Sequence, residues 1–279
     1  MTRVIVHAGF HKTGTTSLQQ QLIRLRKPLS PYLSYYGKDD FLAAGTHARK
    51  YAQKPFWWRR IMFRRAFRRF LAGIPDDPVI FLSRETLAGT MPGHRDWRGR
   101  VISDYAHSAV PVGREIIREL RRRFGPDVQI EFLLTTRAAD KWLRSVYGHL
   151  LRSIHLTESF EDFTAQFPGL PNPTAEAHRI ASALRPCKTH ILALEDYADT
   201  RHGPAGMVLD LAGVPGAVQD ALPAANRQNV GQSPQMEAEF LSLNRSGKPK
   251  AELRRTKEEM LAQYRGAVKR GLSETARNG

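Results

Sequence analysis

One stretch near the start of the chain decides the fold: Val4-Ile5-Val6-His7-Ala8-Gly9-Phe10-His11-Lys12-Thr13-Gly14-Thr15-Thr16-Ser17. Its apolar beginning is typical of a buried strand, and residues 18–25, which follow it, can form a helix. A glycine loop between a strand and a helix presents backbone N–H groups and the positive end of the helix dipole to an anion. The stretch therefore predicts a phosphate- or sulfate-binding loop, with a generic strand-to-helix turn as the alternative.

The two glycines of this loop, Gly9 and Gly14, have the spacing of the nucleoside-triphosphate loop Gly-x-x-x-x-Gly-Lys-Ser/Thr. In that loop a lysine follows the second glycine, but here Thr15 stands in its place and Lys12 lies inside the loop. A lysine there would reach along the loop toward the bound group. The hydroxyls of residues 15–17 would donate hydrogen bonds at the start of the helix.

Further runs rich in Val, Ile, Leu and Phe predict buried strands, so that the full set covers residues 3–8, 79–83, 128–135 and 190–194. Segments with helical periodicity lie between them, at 17–25, 112–124, 140–154 and 175–184. This alternation predicts an α/β fold in which helices flank a parallel sheet and ligands bind beyond the carboxyl ends of the strands. We expect one domain over 1–244, with a basic amphipathic insertion at 49–71, and a basic helical tail over 245–279.

Composition excludes several classes of protein. With 279 residues, 41% of them hydrophobic, the chain can bury a sizeable core. A single cysteine, Cys187, rules out a disulfide scaffold and a multi-cysteine metal site. The sequence has no apolar stretch of about 18 residues, which a membrane span requires, and its N-terminus lacks the pattern of a signal peptide. We therefore expect a cytoplasmic protein.

The formal net charge of +16 is unevenly distributed. Residues 49–70 hold nine basic and no acidic residues, whereas residues 71–244 carry a net charge of −3. At helical spacing, Arg60, Arg64 and Arg68 share one face of this basic segment. An apolar face is formed by Met62, Phe63, Ala66, Phe67 and Phe70. Three explanations stay open for residues 54–71: packing on the core with solvated arginines, binding of an anionic acceptor, or contact with an anionic membrane surface.

The loop closely resembles the phosphosulfate-binding loop of the sulfotransferases that use 3′-phosphoadenosine 5′-phosphosulfate, which commonly reads Lys-Thr-Gly-Thr-Thr-Ser. The sequence looks most like the bacterial sulfotransferase-like proteins related to polysaccharide-modifying enzymes. The resemblance implies the P-loop-like sulfotransferase fold, that donor with no required metal, and Lys12 as the group that stabilises charge on the bridging oxygen. It also implies donor contacts from His11, Lys12, Thr13, Gly14, Thr15, Thr16 and Ser17.

The same family places an arginine at the end of a later strand and a serine eight residues on, which together hold the 3′-phosphate of the donor. Arg137 and Ser145 match these positions. The guanidinium of an arginine offers two donors whose geometry suits phosphate oxygens. The sequence departs from the family at Ala138 and Ala139, where many relatives have an acidic residue and a proline. For Arg137, a surface arginine without such a role is the alternative.

Sulfuryl transfer needs a base for the acceptor and positive charge near the leaving oxygen. Glu85 follows the strand over 79–83 and matches the catalytic glutamate of heparan-type and many bacterial relatives. Its alternatives are an ion pair with Arg84 or a structural carboxylate at a helix N-terminus. Phenol and steroid sulfotransferases use a histidine, which makes His107 the second candidate, with a surface or structural histidine as its alternative.

The resulting prediction is a sulfotransferase that acts on a hydroxyl or amine of an acceptor, a carbohydrate or glycolipid. One alternative is a P-loop nucleotide or small-molecule kinase, which should have a lysine directly after Gly14 and a magnesium-binding carboxylate at a strand end. Another is a non-enzymatic protein that binds nucleic acid or membrane through residues 49–70. For the sulfotransferase we expect no nucleic-acid partner and a cytoplasmic location, with residues 54–71 offering peripheral contact at the inner membrane surface.

Overall fold

The computed structural model of the chain describes residues 1–167, 169, 171–226 and 233–275, and the side chains of the last helix as far as Tyr264. The strands are β1 Arg3–Gly9, β2 Ser34–Tyr36, β3 Val79–Ser83, β4 Gln129–Thr136 and β5 Lys188–Ala193. The helices are α1 Thr15–Leu29, α2 Leu42–Gln53, α3 Trp57–Ala72, α4 Ala106–Phe124, α5 Ala139–Ser153, α6 Phe160–Ala165, α7 Pro173–Ala183, α8 Gly206–Ala212, α9 Gly216–Ala221, α10 Pro234–Arg245 and α11 Lys250–Thr275.

The strands form one parallel sheet in the order β2-β3-β1-β4-β5. The central strand β1 therefore lies between β3 and β4, and the chain reverses its direction of winding at β1. The predicted α/β fold, a P-loop-like parallel sheet flanked by helices, is confirmed. Sequence patterns missed only β2 among the described strands, because its three residues at the sheet edge are too short to show a pattern.

Apolar side chains of the central strands form the core with α1. Ile5, Phe81 and Leu133 lie on one face of the sheet and are fully buried. Leu18, Leu22 and Leu25 of α1 pack on them, at the spacing that one face of a helix provides. This packing fixes the start of α1 directly beyond the end of β1.

The sequence predicts that the arginines of the basic segment are solvated or bind a ligand. On one face of α3 this prediction is wrong, because the arginines there pair with acidic residues of α4. The guanidinium of Arg64 lies 2.8 Å from the buried carboxylate of Glu119 on α4, and that of Arg68 lies 2.9 Å from it. Arg60 and Arg64 also lie within 4 Å of Glu115. These arginines balance the acidic residues of α4, so they serve to dock α3 on α4.

The predicted apolar face of α3 is only partly buried. Phe63 and Phe67 are completely buried, together with Leu71. Met62, which was assigned to the same face, is 47% exposed. The buried face is thus narrower than predicted, and the helix has a second, outward apolar surface.

A buried ion cluster holds β1, β4 and β5 together. Glu131 accepts two hydrogen bonds of 2.8 Å from Arg3 and lies 2.6 Å from Nε2 of His190. The hydrogen bonds from Arg3 outweigh burial and lower the pKa of the Glu131 carboxyl from its ordinary value of 4.5 to about 2. The ionised carboxylate therefore stabilises the fold.

We expect Glu131→Gln to lower the free energy of unfolding by about 3 kcal/mol at pH 7. The folded-state pKa lies below the unfolded one, so the contribution is complete above about pH 4.5 and is lost as the pH falls toward 2. Chemical denaturation between pH 7 and pH 2.5 should show the two proteins converging in acid. Asp127→Asn, a change at an exposed carboxylate just before β4, is the control. A constant difference across this range would contradict the assignment.

The described chain divides into two units. One comprises Met1–Val146 and Gln166–Val230 and contains the sheet. The other comprises Tyr147–Ala165 and Gly231–Gly279, and within it the buried ammonium of Lys257 donates to the carbonyls of Leu151 and Ile154, at 2.7 and 2.8 Å. The boundaries predicted from the sequence, 1–244 and 245–279, stay a prediction, and part of that tail lies outside the described residues.

Across the described ranges, no helix combines the length and apolar character needed to cross a membrane.

Candidate functional site

Three of the predicted site segments follow three adjacent strands. The glycine loop follows β1, Glu85 follows β3, and Arg137 follows β4. Because β3, β1 and β4 are parallel neighbours, their carboxyl ends meet at one edge of the sheet. The structure therefore brings the loop, the candidate base and the candidate phosphate-binding arginine to one edge.

The loop backbone is sharply bent. The pairing of β1 with β4 shifts by one residue between His7 and Gly9, and Gly9 and Gly14 have φ values of 99° and 84°. A Cβ atom on Gly14 would lie 2.6 Å from Cδ1 of Leu194. Lys12 also has a positive φ, 67°, which costs a residue with a Cβ about 1–2 kcal/mol. Such strain at a loop residue is common at functional sites.

The hydroxyls of Thr13 and Thr15 hold the loop in shape. Thr13 Oγ1 donates to the carbonyl of Phe10 at 2.6 Å and shares a second 2.6 Å hydrogen bond with Oγ1 of Thr135 on β4. Thr15 Oγ1 donates to the same Phe10 carbonyl at 3.1 Å. These two hydroxyls are therefore used inside the loop.

The first turn of α1, where the loop meets the helix, has backbone N–H groups that can bind a ligand. Gly14 is the N-cap, and as a glycine it has no side chain with which to cap the helix start. Thr16 on this turn is exposed and Ser17 is half-buried. The first N–H groups of a helix have no partner within it, and they carry the positive end of its dipole. An anion is the group that this end of a helix binds best.

His11 is held by two aromatic residues that the sequence analysis did not select. Its backbone N–H donates to the hydroxyl of Tyr105 at 3.2 Å, and the two rings are stacked. Trp142 donates from Nε1 to the carbonyl of His11 at 2.9 Å. Burial lowers the pKa of His11 to about 3, so its imidazole is neutral at physiological pH. Tyr105 and Trp142 lie 94 and 131 residues along the chain from His11, so no local sequence pattern marks them.

A buried histidine forms the floor of the site. Nδ1 of His7 lies 2.8 Å from the hydroxyl of Ser83 on β3, and Nε2 lies 3.3 Å from that of Thr135 on β4. Burial lowers the pKa of His7 to about 4, so this ring is also neutral. Since Thr135 binds Thr13 as well, one polar network links the three central strands to the loop.

Glu85 lies beside the loop. It begins a 3₁₀ turn that extends to Ala88, and its side chain is half-buried. A Cβ atom on Gly9 would come within 3.2 Å of Cα and Cβ of Glu85. Nε2 of Gln19 lies 3.5 Å from a carboxylate oxygen of Glu85 and donates to the carbonyl of Ser83 at 3.1 Å. Gln19 on α1 thus reaches across to the carboxylate.

Arg84 has partners of its own. Its Nη1 donates to the carbonyl of Lys38 at 2.8 Å, and its Nε donates to the hydroxyl of Thr86 at 2.9 Å. Burial lowers the pKa of this guanidinium. Arg84 therefore anchors the turn after β3 to the chain before α2.

His107, the second candidate base, is exposed on the first turn of α4. Its backbone N–H donates to the carboxylate of Asp104 at 2.9 Å. Tyr105, two residues before His107, contacts the loop at His11.

Arg137 lies next to the loop on its other side. Its Nη1 is 3.4 Å from the carbonyl of Lys12, and its side chain is half-buried. The following N–H, of Ala138, donates to the carboxylate of Glu195 at 3.0 Å and so fixes the chain after β4. Ser145 is half-buried on α5. No group of three or more His, Cys, Asp or Glu side chains in the described ranges is arranged to hold a metal ion.

Sequence comparisons found neither a matching family model nor a matching curated protein. Structure comparison gives a retinol dehydratase crystallised with androsterone and the inactive cofactor PAP, 12% identical over 87% of this chain, with a TM-score of 0.34. This chain covers 64% of that dehydratase. A second match comes from the PezAT chromosomal toxin–antitoxin system of Streptococcus pneumoniae, 9% identical over 88% of this chain and 84% of that chain, with a TM-score of 0.31. Both TM-scores are below 0.5, so neither match supports a function for this chain.

Proposed function

We propose that this protein is a sulfotransferase that transfers the sulfuryl group of 3′-phosphoadenosine 5′-phosphosulfate to a hydroxyl or amine of a carbohydrate or glycolipid acceptor. The main observation behind the proposal is the close approach of Glu85 to Gly9 of the loop. This approach supports Glu85 as the base, because the carboxylate would then lie directly beside the point where an anionic donor group would bind.

The residues present suit such a donor. The donor carries negative charge at two places, and when bound it supplies an activated sulfuryl group. The α1 N-terminus and Lys12 provide positive potential at the loop, and Arg137 provides a guanidinium next to it. Thr15 occupies the position where a triphosphate loop has its lysine, which favours this donor over a nucleoside triphosphate.

The chain's own residues would act as follows. Glu85 accepts the proton of the acceptor group, which makes that group a better nucleophile. Lys12 offsets negative charge that develops on the leaving oxygen. Arg137 and Ser145 bind the 3′-phosphate. His11 is neutral at physiological pH, so it contributes its backbone position and no charge.

Calorimetric titration separates the sulfotransferase from its alternatives. We expect 3′-phosphoadenosine 5′-phosphate to bind without magnesium and more tightly than ATP with magnesium. Preference for ATP with magnesium would favour the kinase, and binding of neither would favour a non-enzymatic protein. Transfer of label from radiolabelled donor to a panel of carbohydrates, glycolipids and simple alcohols would then identify the acceptor class.

We expect Arg137→Ala to weaken binding of 3′-phosphoadenosine 5′-phosphate by roughly 10–100-fold, the effect of losing charged hydrogen bonds worth about 1.5–3 kcal/mol. Binding of adenosine 5′-monophosphate, which has no 3′-phosphate, should change much less. Arg201→Ala, at an exposed arginine after β5, is the control. Equal losses for the two nucleotides would show that Arg137 does not recognise the 3′-phosphate.

A further inference from the structure

A cluster of large apolar side chains is exposed around the start of α3, which we call the aromatic patch. Its members and their exposed fractions are Phe56 36%, Trp57 67%, Trp58 44%, Ile61 36%, Met62 47% and Trp97 50%. Scattered exposed apolar residues are normal on a protein, but a group of this size on one surface marks an interaction site. The donor site does not use any of these residues.

Ring contacts make the patch continuous. Phe56 stacks on Trp58 with ring centroids 4.5 Å apart, and Trp57 meets Trp58 edge-on at 5.9 Å. Trp97 comes from a different part of the chain and lies 6.3 Å from Phe56. Its turn is closed by a bridge between Arg95 and Val101. Two segments of the chain, around Phe56 and around Trp97, therefore hold their aromatic side chains in one cluster.

The surroundings of the patch are positively charged. The arginines of α3 lie on two faces of the helix. Arg64 and Arg68 on one face pair with Glu119, whereas Arg65 and Arg69 on the other face are exposed. At helical spacing, the exposed arginines continue the outward row that begins with Trp58 and Met62. The segment 49–70 holds no acidic residue. The outward face of α3 is thus apolar at its start and basic toward its end.

The turn that contains Trp97 is also both apolar and basic. The guanidinium of Arg98 lies 4.5 Å from the centre of the Trp97 ring. The acidic residue of this turn, Asp96, is paired with Arg100 at 3.0 Å. Its charge is therefore neutralised locally, and the turn adds to the positive rim.

We propose that the aromatic patch and its basic rim dock the protein on an anionic lipid bilayer. Indole rings prefer the boundary between lipid headgroups and acyl chains, and arginines beside them attract anionic headgroups. Ile61 and Met62 favour a bilayer over a sugar chain or nucleic acid, because these aliphatic side chains can enter acyl chains but offer no flat ring for stacking. The proposal is independent of the sulfotransferase assignment, since it uses none of the donor-site residues.

The tryptophans of the protein provide a direct test. The chain has four, and the fourth, Trp142, is 1% exposed. Intrinsic fluorescence therefore reports mainly on the patch. With vesicles that contain phosphatidylglycerol, we expect a blue shift, quenching by brominated acyl chains and co-sedimentation. Vesicles of phosphatidylcholine alone should bind at least about tenfold more weakly, because each arginine near the surface contributes about 1 kcal/mol with anionic lipid.

Two variants separate the apolar and the basic contributions. Trp57→Ser with Met62→Ser should abolish quenching by brominated lipid, and Arg65→Gln with Arg69→Gln should weaken binding to anionic vesicles by about tenfold or more. The matched controls are Ile23→Ser with Leu42→Ser, at exposed apolar residues elsewhere, and Arg118→Gln with Arg122→Gln, at exposed arginines of α4. Unchanged thermal unfolding would show that the patch variants are folded.

Several outcomes would overturn the proposal. One is a protein that does not bind anionic vesicles, and another is binding that the patch variants and the controls weaken equally. Patch-dependent binding of heparin or single-stranded RNA in a protein that ignores vesicles would assign the surface to a polyanion instead. Self-association that the patch variants abolish, again without vesicle binding, would assign it to a second copy of the chain.

Discussion

Replacing Glu85 by Gln is expected to slow sulfuryl transfer by roughly 10²–10⁴-fold, the contribution of a positioned general base. The amide keeps the size of the side chain and its place beside Gly9, but it cannot accept the acceptor's proton. Glu85 follows a neighbouring strand and does not belong to the loop, so binding of 3′-phosphoadenosine 5′-phosphate should be nearly unchanged. Transfer from radiolabelled donor and calorimetric titration measure the two effects separately.

Two controls sharpen this experiment. Asp127→Asn removes an exposed carboxylate just before β4, at the opposite edge of the sheet, and should leave the rate unchanged. His107→Asn tests the second candidate base, and we expect it to retain activity because His107 is exposed on the first turn of α4. Retained turnover in Glu85→Gln would exclude Glu85 as the base. Loss of turnover in His107→Asn alone would transfer the role to that histidine.

The second large effect is expected at Lys12, where removal of the ammonium should lower the transfer rate by roughly 10²–10³-fold, as for other groups that stabilise charge in the transition state. The informative variant is Lys12→Gly. Glycine adopts a positive φ without the penalty that Lys12 bears at 67°, so this substitution removes the ammonium without straining the loop backbone. A folded protein that binds the nucleotide but transfers slowly would assign the loss to the missing ammonium.

Three measurements complete this test: the transfer rate, the affinity for 3′-phosphoadenosine 5′-phosphate, and the free energy of unfolding. Lys12→Arg should recover part of the activity that Lys12→Gly loses, because it restores a positive charge. Lys27→Ala, at an exposed lysine in the last turn of α1, is the control. Full activity in Lys12→Gly would rule out an electrostatic role for this lysine.

The loop and the strands around it could be predicted because their signals are local. The strand, glycine loop and helix occupy consecutive residues, and each depends on neighbours within a few positions of the chain. Adjacent strand ends also follow from the topology of a parallel sheet, which brought Glu85 and Arg137 to the loop. By contrast, the roles of Thr13 and Thr15 within the loop depend on where their hydroxyls point.

The residues that support the site could not be predicted from the sequence, and the reason is physical. His7 lies within an apolar strand, and only its position between Ser83 and Thr135 makes it the floor of the site. Tyr105 and Trp142 bind the backbone of His11 from elements far along the chain. Such contacts arise when helices and strands pack, and no periodicity or motif in the sequence records them.

The basic segment shows the same division. By itself the sequence determined an amphipathic, strongly basic helix, because helical spacing sorts side chains onto faces. Only the tertiary structure decided what each face does. Glu119, more than fifty residues away, accepts hydrogen bonds from Arg64 and Arg68. On the exposed face, Trp97 lies against Phe56. Charge and apolarity are properties of residues, but whether they are neutralised, buried or exposed depends on which distant surface packs against them.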